Sequence, residues 1–176
     1  MPSSYPDNIG EIVHLIAALR PKSVLDIGPG RGKYGFLIRE YFSDNPDVEG
    51  HWSNVDKVDC VEVFEPYISD IHRHIYDEIF IGNILEMAIK PYDMYMIIDV
   101  LEHWKKEEAY AVLDKMVEHG RVLISTPTNI GEQGAVHGNE WECHISQWLK
   151  PDIMSRYKII EDKSNHCSFI WVIEKK

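Results

Sequence analysis

The hydrophobic positions change period several times along the chain, and each change marks an element. Ile9, Ile12, Val13, Ile16 and Leu19 recur at helical spacing ahead of Pro21, and Asn8 with Glu11 three residues on matches a capping box. The spacing predicts a leading helix within residues 1–21. "SVLDI" (23–27) is a continuous apolar run of strand length, after which Tyr34, Leu37, Ile38, Tyr41 and Phe42 return to a helical stripe. The polar stretch 43–54 reads as a loop. A second strand, "VDCVEVF" (58–64), runs up to Glu65, and Pro66 suits the first turn of a helix carrying Ile68, Ile71 and Ile75.

The alternation then repeats. "EIFI" (78–81) is a short strand closed by Gly82 and Asn83, and "YDMYMIID" (92–99) is apolar enough to be buried on both faces. A helix over 105–119 turns Ala109, Val112, Leu113, Met116 and Val117 inward, and Gly120 stands where a left-handed cap is expected. "RVLIST" (121–126) is the fifth strand. Residues 127–149 show no sustained period, and a connection of that length in a compact domain is more often functional than accidental. Pro151 can open a short helix, and "YKIIED" (157–162) and "SFIWVIE" (168–174) flank the polar turn "KSNH", short enough to make that pair antiparallel. Five strands separated by crossovers imply parallel, right-handed connections. The expected fold is a three-layer α/β sandwich around a mostly parallel seven-stranded sheet with an antiparallel C-terminal hairpin, one domain over residues 1–176.

Composition narrows the function classes. With 176 residues there is no room for a second catalytic module, and no apolar run approaches the roughly 18 residues of a membrane span. The N-terminus lacks the basic start and apolar core of a secretion signal, so a cytoplasmic protein is expected. Cys60, Cys143 and Cys167 are odd in number and widely spaced, which points to neither a disulfide framework nor a zinc ribbon. A formal net charge of −11 opposes long-range attraction to a phosphate backbone, so nucleic acid is disfavoured as a partner. A homodimer is compatible with the sequence.

The chemistry concentrates in "VLDIGPGRGKYG", where Gly28, Gly30, Gly32 and Gly35 follow the first sheet strand. Ligands of open parallel sheets sit beyond the carboxyl ends of the strands, which makes this a ligand loop by position. It is not a Walker phosphate loop: three residues, not four, separate Gly28 from Gly32-Lys33, and Tyr34 replaces the Ser or Thr. Gly30, Gly32 and Gly35 match a dinucleotide fingerprint, but the acid expected about 20 residues on is missing from a strand end. Gly28, Gly30 and Gly32 read as G-x-G-x-G fit best.

Together with "VEVFEP", "FIGNIL", "YDMYMIIDVLEHW" and "RVLISTPTN", this loop resembles the ordered motifs of the class I S-adenosylmethionine-dependent methyltransferases, whose fold is Rossmann-like. The resemblance implies S-adenosylmethionine as cofactor, with Gly28, Pro29, Gly30 and Gly32 running beneath its methionine and ribose portions. It places Asp26 near the ammonium group or in support of the loop, and Glu65 on the two ribose hydroxyls. Asn83 stands where the family often has an aspartate for the adenine amino group, and its amide oxygen can still accept. Asp99 and Val100 would flank the reacting sulfonium.

An acceptor would then meet the 127–149 loop. His144, His137 and His103 are the candidate bases, since imidazole titrates near neutrality; His103 is equally well read as packing beneath the loop. Trp141, Trp148 and Val136 are candidate walls, favouring a small-molecule or sugar-like acceptor. Tyr5, ahead of the leading helix, could close over the cofactor. His103, His137, Glu142 and His144 could ligate a metal, but their spacing matches no zinc pattern, and no metal is expected. Two further readings stay open: a non-catalytic S-adenosylmethionine or nucleoside-binding module working beside a partner, and, with less support, an NAD-dependent oxidoreductase.

Overall fold

The computed structural model describes residues 3–42 and 55–176; the loop expected over 43–54 lies outside them. Seven strands, β1 (Ser23–Ile27), β2 (Lys57–Glu62), β3 (Ile79–Ile81), β4 (Met94–Ile98), β5 (Arg121–Pro127), β6 (Tyr157–Asp162) and β7 (Ser168–Lys175), form one sheet in the order β3-β2-β1-β4-β5-β7-β6. β1 to β5 are parallel; β7 pairs antiparallel with both β5 and β6. The strand order reverses between β1 and β4, so the crevice of an open α/β sheet lies there.

Alternate residues of the central strands feed two separate cores. On one face Val24, Val58, Met94, Met96, Leu123 and Val172 pack against α1 (Ile9–Leu19), α2 (Lys33–Phe42) and α3 (Asp70–Ile75). On the other Leu25, Tyr95, Ile97, Val122, Ile124 and Trp171 pack against α4 (Lys106–Met116) and the short α5 (Lys150–Met154). This is the three-layer sandwich that the period changes predict.

Several local expectations are corrected. Asn8 makes no helix cap: a 3-10 turn, Pro6–Asn8, precedes α1, and the Asn8 side chain is buried instead. Its Nδ2 donates to Ser125 Oγ at 3.3 Å and Ser168 Oγ at 2.8 Å, and its Oδ1 accepts from Asn165 Nδ2 at 2.9 Å, tying the start of α1 to β5 and the β6–β7 turn. The helix expected to open at Pro66 is instead a 3-10 turn, Glu65–Tyr67, followed by α3, which leaves Ile71 61% exposed. Gly120 does not adopt a positive φ. A Cβ there would stand 2.2 Å from the Tyr92 carbonyl oxygen, so close approach of β5's entry to the chain before β4 is what excludes a side chain.

Candidate functional site

β1 ends at Ile27, and the chain turns through Gly28, Gly30 and Gly32 at φ of 65°, 60° and 79°, conformations that cost glycine little and other residues much. Gly28 N–H donates to Val61 O at 2.9 Å, and a Cβ on Gly28 would reach within 2.6 Å of Val100 Cγ2. The loop is thereby pressed between the ends of β2 and β4. Above it lies a cavity of about 380 Å³ whose floor is Gly28, Pro29, Gly30 and Val100. The N-terminal segment crosses its edge: Ser4 O and Ser4 Oγ accept from Lys33 Nζ at 2.8 and 2.9 Å, and Tyr5 joins the lining.

The walls are acidic. Asp26, Glu62, Asp99, Glu102 and Glu142 all line the cavity, and all except Asp99 are buried. Burial pushes the Asp26 carboxyl up to about 6, against a lowering hydrogen bond of 2.6 Å from the Tyr76 hydroxyl. Tyr76 reaches Asp26 because Gly35 of α2 leaves room: a Cβ there would meet its ring at 2.5 Å. Glu62, 5% exposed at the end of β2, is raised to about 7 by burial, with Glu142 adding to the rise and the Phe64 N–H (2.8 Å) opposing it. Asp99 follows β4 in a left-handed conformation, φ 53°, which is uncommon for a residue with a side chain and is found where structure over-determines a site. Its Oδ1 accepts from Ser125 Oγ at 2.8 Å, so the buried Asn8–Ser125 contact orients it from below. Burial raises Asp99 too, while Lys33 pulls it down.

The long connection after β5 is stitched onto the 3-10 turn Leu101–His103. Glu102 O accepts from Ile145 N and Ser146 N at 2.8 and 3.0 Å, Ser146 Oγ donates to Trp104 O at 2.7 Å, and His103 Nδ1 meets Cys143 O at 3.0 Å. His144 N donates to Gln133 O at 2.9 Å, and the His103 and His144 rings lie 5.2 Å apart. Burial lowers the His103 pKa, favouring the neutral ring. Glu102, 1% exposed, is raised to about 8, first by burial and then by Asp99, against a 3.2 Å bond from Thr126 Oγ1.

No protein-family model and no characterised protein sequence matches the chain. Solved structures do. An rRNA methylase from Escherichia coli superposes on 97% of this chain with a TM-score of 0.63 at 15% identity. The magnesium protoporphyrin IX methyltransferase of Synechocystis, crystallised with S-adenosylhomocysteine, matches 96% of this chain and 83% of its own, with a TM-score of 0.64 at 16% identity. A mitomycin 7-O-methyltransferase matches 97% of this chain with a TM-score of 0.64 at 16% identity. This chain has the class I methyltransferase fold. It spans 64% of the rRNA methylase and 54% of the mitomycin enzyme.

Within this methyltransferase fold, the cavity collects Asp26, Gly28, Pro29, Gly30, Asn83, Asp99, Val100, His103 and His144. Five expected residues fall elsewhere, among them Val136, which is half-buried in the turn it closes with Asn139. Gly32 turns the loop into α2, its N–H on Pro29 O at 2.9 Å and its α-carbon against Ile75, outside the cavity lining. Glu65 is exposed on its 3-10 turn because β2 stops at Glu62, the last residue with a β3 partner. The acid at this strand end of the methyltransferase fold is therefore Glu62. His137 sits exposed, at φ 54°, in the tight turn closed by the Val136–Asn139 bridge. Trp148 is fully buried in the core, its Nε1 donating to Leu101 O at 3.0 Å, which leaves Trp141 as the tryptophan of this loop in the cavity wall.

Asn83 Oδ1 accepts from Leu85 N at 3.1 Å and so caps the following 3-10 turn, using one lone pair and keeping another. Glu62, Lys33 and Tyr67 escape sequence reasoning. Only the alternation within "VDCVEVF", which sets Glu62 rather than Glu65 in strand phase, carried a signal.

Proposed function

We propose that this protein transfers a methyl group from S-adenosylmethionine to a small-molecule or sugar-like acceptor. The observation that carries the reading is the acid-lined cavity over a left-handed glycine loop, at the switch point of a methyltransferase-type sheet. Asp26, Glu62 and Asp99 are all raised by burial, so each gains from a cation nearby, and S-adenosylmethionine offers a sulfonium and an ammonium. The buried Tyr67 hydroxyl in the cavity wall also makes no hydrogen bond of normal geometry, although Asn139 and Glu142 approach it. A polar ligand suits it.

Gly28, Pro29 and Gly30 would hold the cofactor from below, Asp26 would support that loop through Tyr76, and Glu62 would accept from the two ribose hydroxyls. Asn83 would meet the adenine end, and Asp99 and Val100 would border the reacting centre. The bound cofactor supplies an activated methyl group, so the chain's work is to orient the acceptor and exclude water. Trp141 provides a flat apolar wall, and His103 and His144 the polar groups, at the acceptor end.

Calorimetric titration with S-adenosylmethionine, S-adenosylhomocysteine and NAD tests the reading. We expect single-site binding of the first two and none of NAD. Failure of both sulfur nucleosides to bind refutes it, and methyl transfer from labelled cofactor into a panel of phenols, sugars and amines then identifies the acceptor class.

A further inference from the structure

We propose that Glu102, His103 and His144 bind a divalent metal ion at the acceptor end of the cavity. Each offers one ligand atom, and these atoms lie within 4.8 Å of one another. Ligands bonded at about 2.1 Å around a tetrahedral ion stand about 3.4 Å apart, so small side-chain rotations complete the set.

Two further observations point to a cation. First, both imidazoles are already prepared. His103 Nδ1 faces the carbonyl of Cys143 at 3.0 Å, and His144 Nδ1 faces that of Gly131 at 3.2 Å. A carbonyl only accepts, so each Nδ1 carries the proton and each neutral ring keeps its Nε2 lone pair, the arrangement by which metal-binding histidines are oriented. Second, Glu102 is a buried carboxylate whose charged neighbours, Asp99 and Glu142, have its own sign. A metal ion supplies the missing counter-charge. The stitching of residues 143–146 onto Glu102 and Trp104 fixes His144 against His103 and gives the site its rigidity.

Two imidazoles and one carboxylate suit Mn²⁺, Fe²⁺ or Zn²⁺ and leave coordination positions open. Because all three residues line the cavity, an open position faces the acceptor space. In combination with the methyl-transfer reading, on which this step alone rests, the metal held by Glu102, His103 and His144 would bind the oxygen of an acceptor hydroxyl and lower its pKa, the proton passing to solvent water as the oxygen takes the methyl group from the sulfonium. The local spacing pattern missed the site because its third ligand comes from the far side of β5.

The test is titration of chelator-treated full-length protein with Mn²⁺ and with Zn²⁺ alone, read by calorimetry and by metal content after gel filtration. At least one of the two ions should bind at one equivalent, weakened at least about tenfold in Glu102→Gln and in His144→Gln. Asp7, His166 and Cys167 form a second, more exposed cluster, so Cys167→Ser is the control and should retain that equivalent. Circular dichroism and melting confirm that the variants fold. Binding of neither ion, or binding lost in Cys167→Ser but kept in His144→Gln, overturns the proposal. Metal binding without S-adenosylmethionine binding would sink the methyl-transfer reading and leave the site; the converse would sink the site alone.

Discussion

Replacing Glu62 with Gln should move stability and ligand binding in opposite directions. Glu62 lies at the end of β2, 5% exposed, and its carboxyl is raised from the ordinary 4.5 to about 7, chiefly by burial. A folded-state pKa above the unfolded one means the native protein holds a proton that the unfolded chain releases. That contribution is fully present below about 4.5 and is lost as pH rises through about 7. Integrated over the shift, the raised pKa of Glu62 costs the ligand-free protein about 3 kcal/mol near pH 8 but only about 1 kcal/mol near pH 5. Gln keeps an oxygen for the Phe64 N–H, which Glu62 Oε1 accepts at 2.8 Å, and has nothing to ionise. At about 2–4 °C per kcal/mol for a chain of this size, the variant's melting temperature should gain roughly 4–8 °C more near pH 8 than near pH 5. Binding should suffer. Hydrogen bonds to a charged partner are worth about 1.5–3 kcal/mol, so losing the carboxylate should raise the S-adenosylhomocysteine dissociation constant about tenfold or more. Scanning fluorimetry at the two pH values and calorimetry at the higher one read both effects. Equal melting shifts at the two pH values would refute the burial argument, and an unchanged dissociation constant would refute the ribose assignment.

Glu65→Ala, on the exposed 3-10 turn, should leave melting within about 0.5 kcal/mol of the parent and cofactor affinity unchanged; a loss of affinity there would return the ribose role to Glu65. Asn8→Ala removes two buried side-chain hydrogen bonds, to Ser125 and Ser168, and a part-buried one to Asn165, and should cost about 2 kcal/mol in urea denaturation. It should also weaken cofactor binding through the slackened Ser125–Asp99 contact; unaltered affinity would show that Asp99 is held without it. Gly120→Ala forces a Cβ to within 2.2 Å of a carbonyl oxygen and should cost about 3 kcal/mol, seen as a melting temperature roughly 6–12 °C lower.

Much of this molecule follows from local pattern. Residues at period 3.6 or in unbroken apolar runs find their layer with short-range information, because a helix stripe or a strand can bury itself in only a few ways. The seven strands, their mostly parallel order and the antiparallel hairpin were legible for that reason. So was the glycine loop: Gly28 and Gly30 mark the backbone itself, through φ values that side chains resist. What the chain alone left undecided was whatever depends on a partner distant in sequence. Glu62 rather than Glu65 faces the cavity because β2 loses its β3 neighbour after the Glu62–Ile81 pair, and sheet pairing is non-local. Asn8 is a perfect local cap that tertiary contact with Ser125 and Ser168 claims instead. No periodicity in that loop separates His137 from His144, and it is the folding of the loop onto Glu102 that brings His144 against His103 and leaves His137 in solvent. Local sequence set the frame and the glycine loop; the His103–His144 end of the cavity was decided by contacts across the sheet, where the entropy of closing a long loop is repaid only once the whole domain has formed.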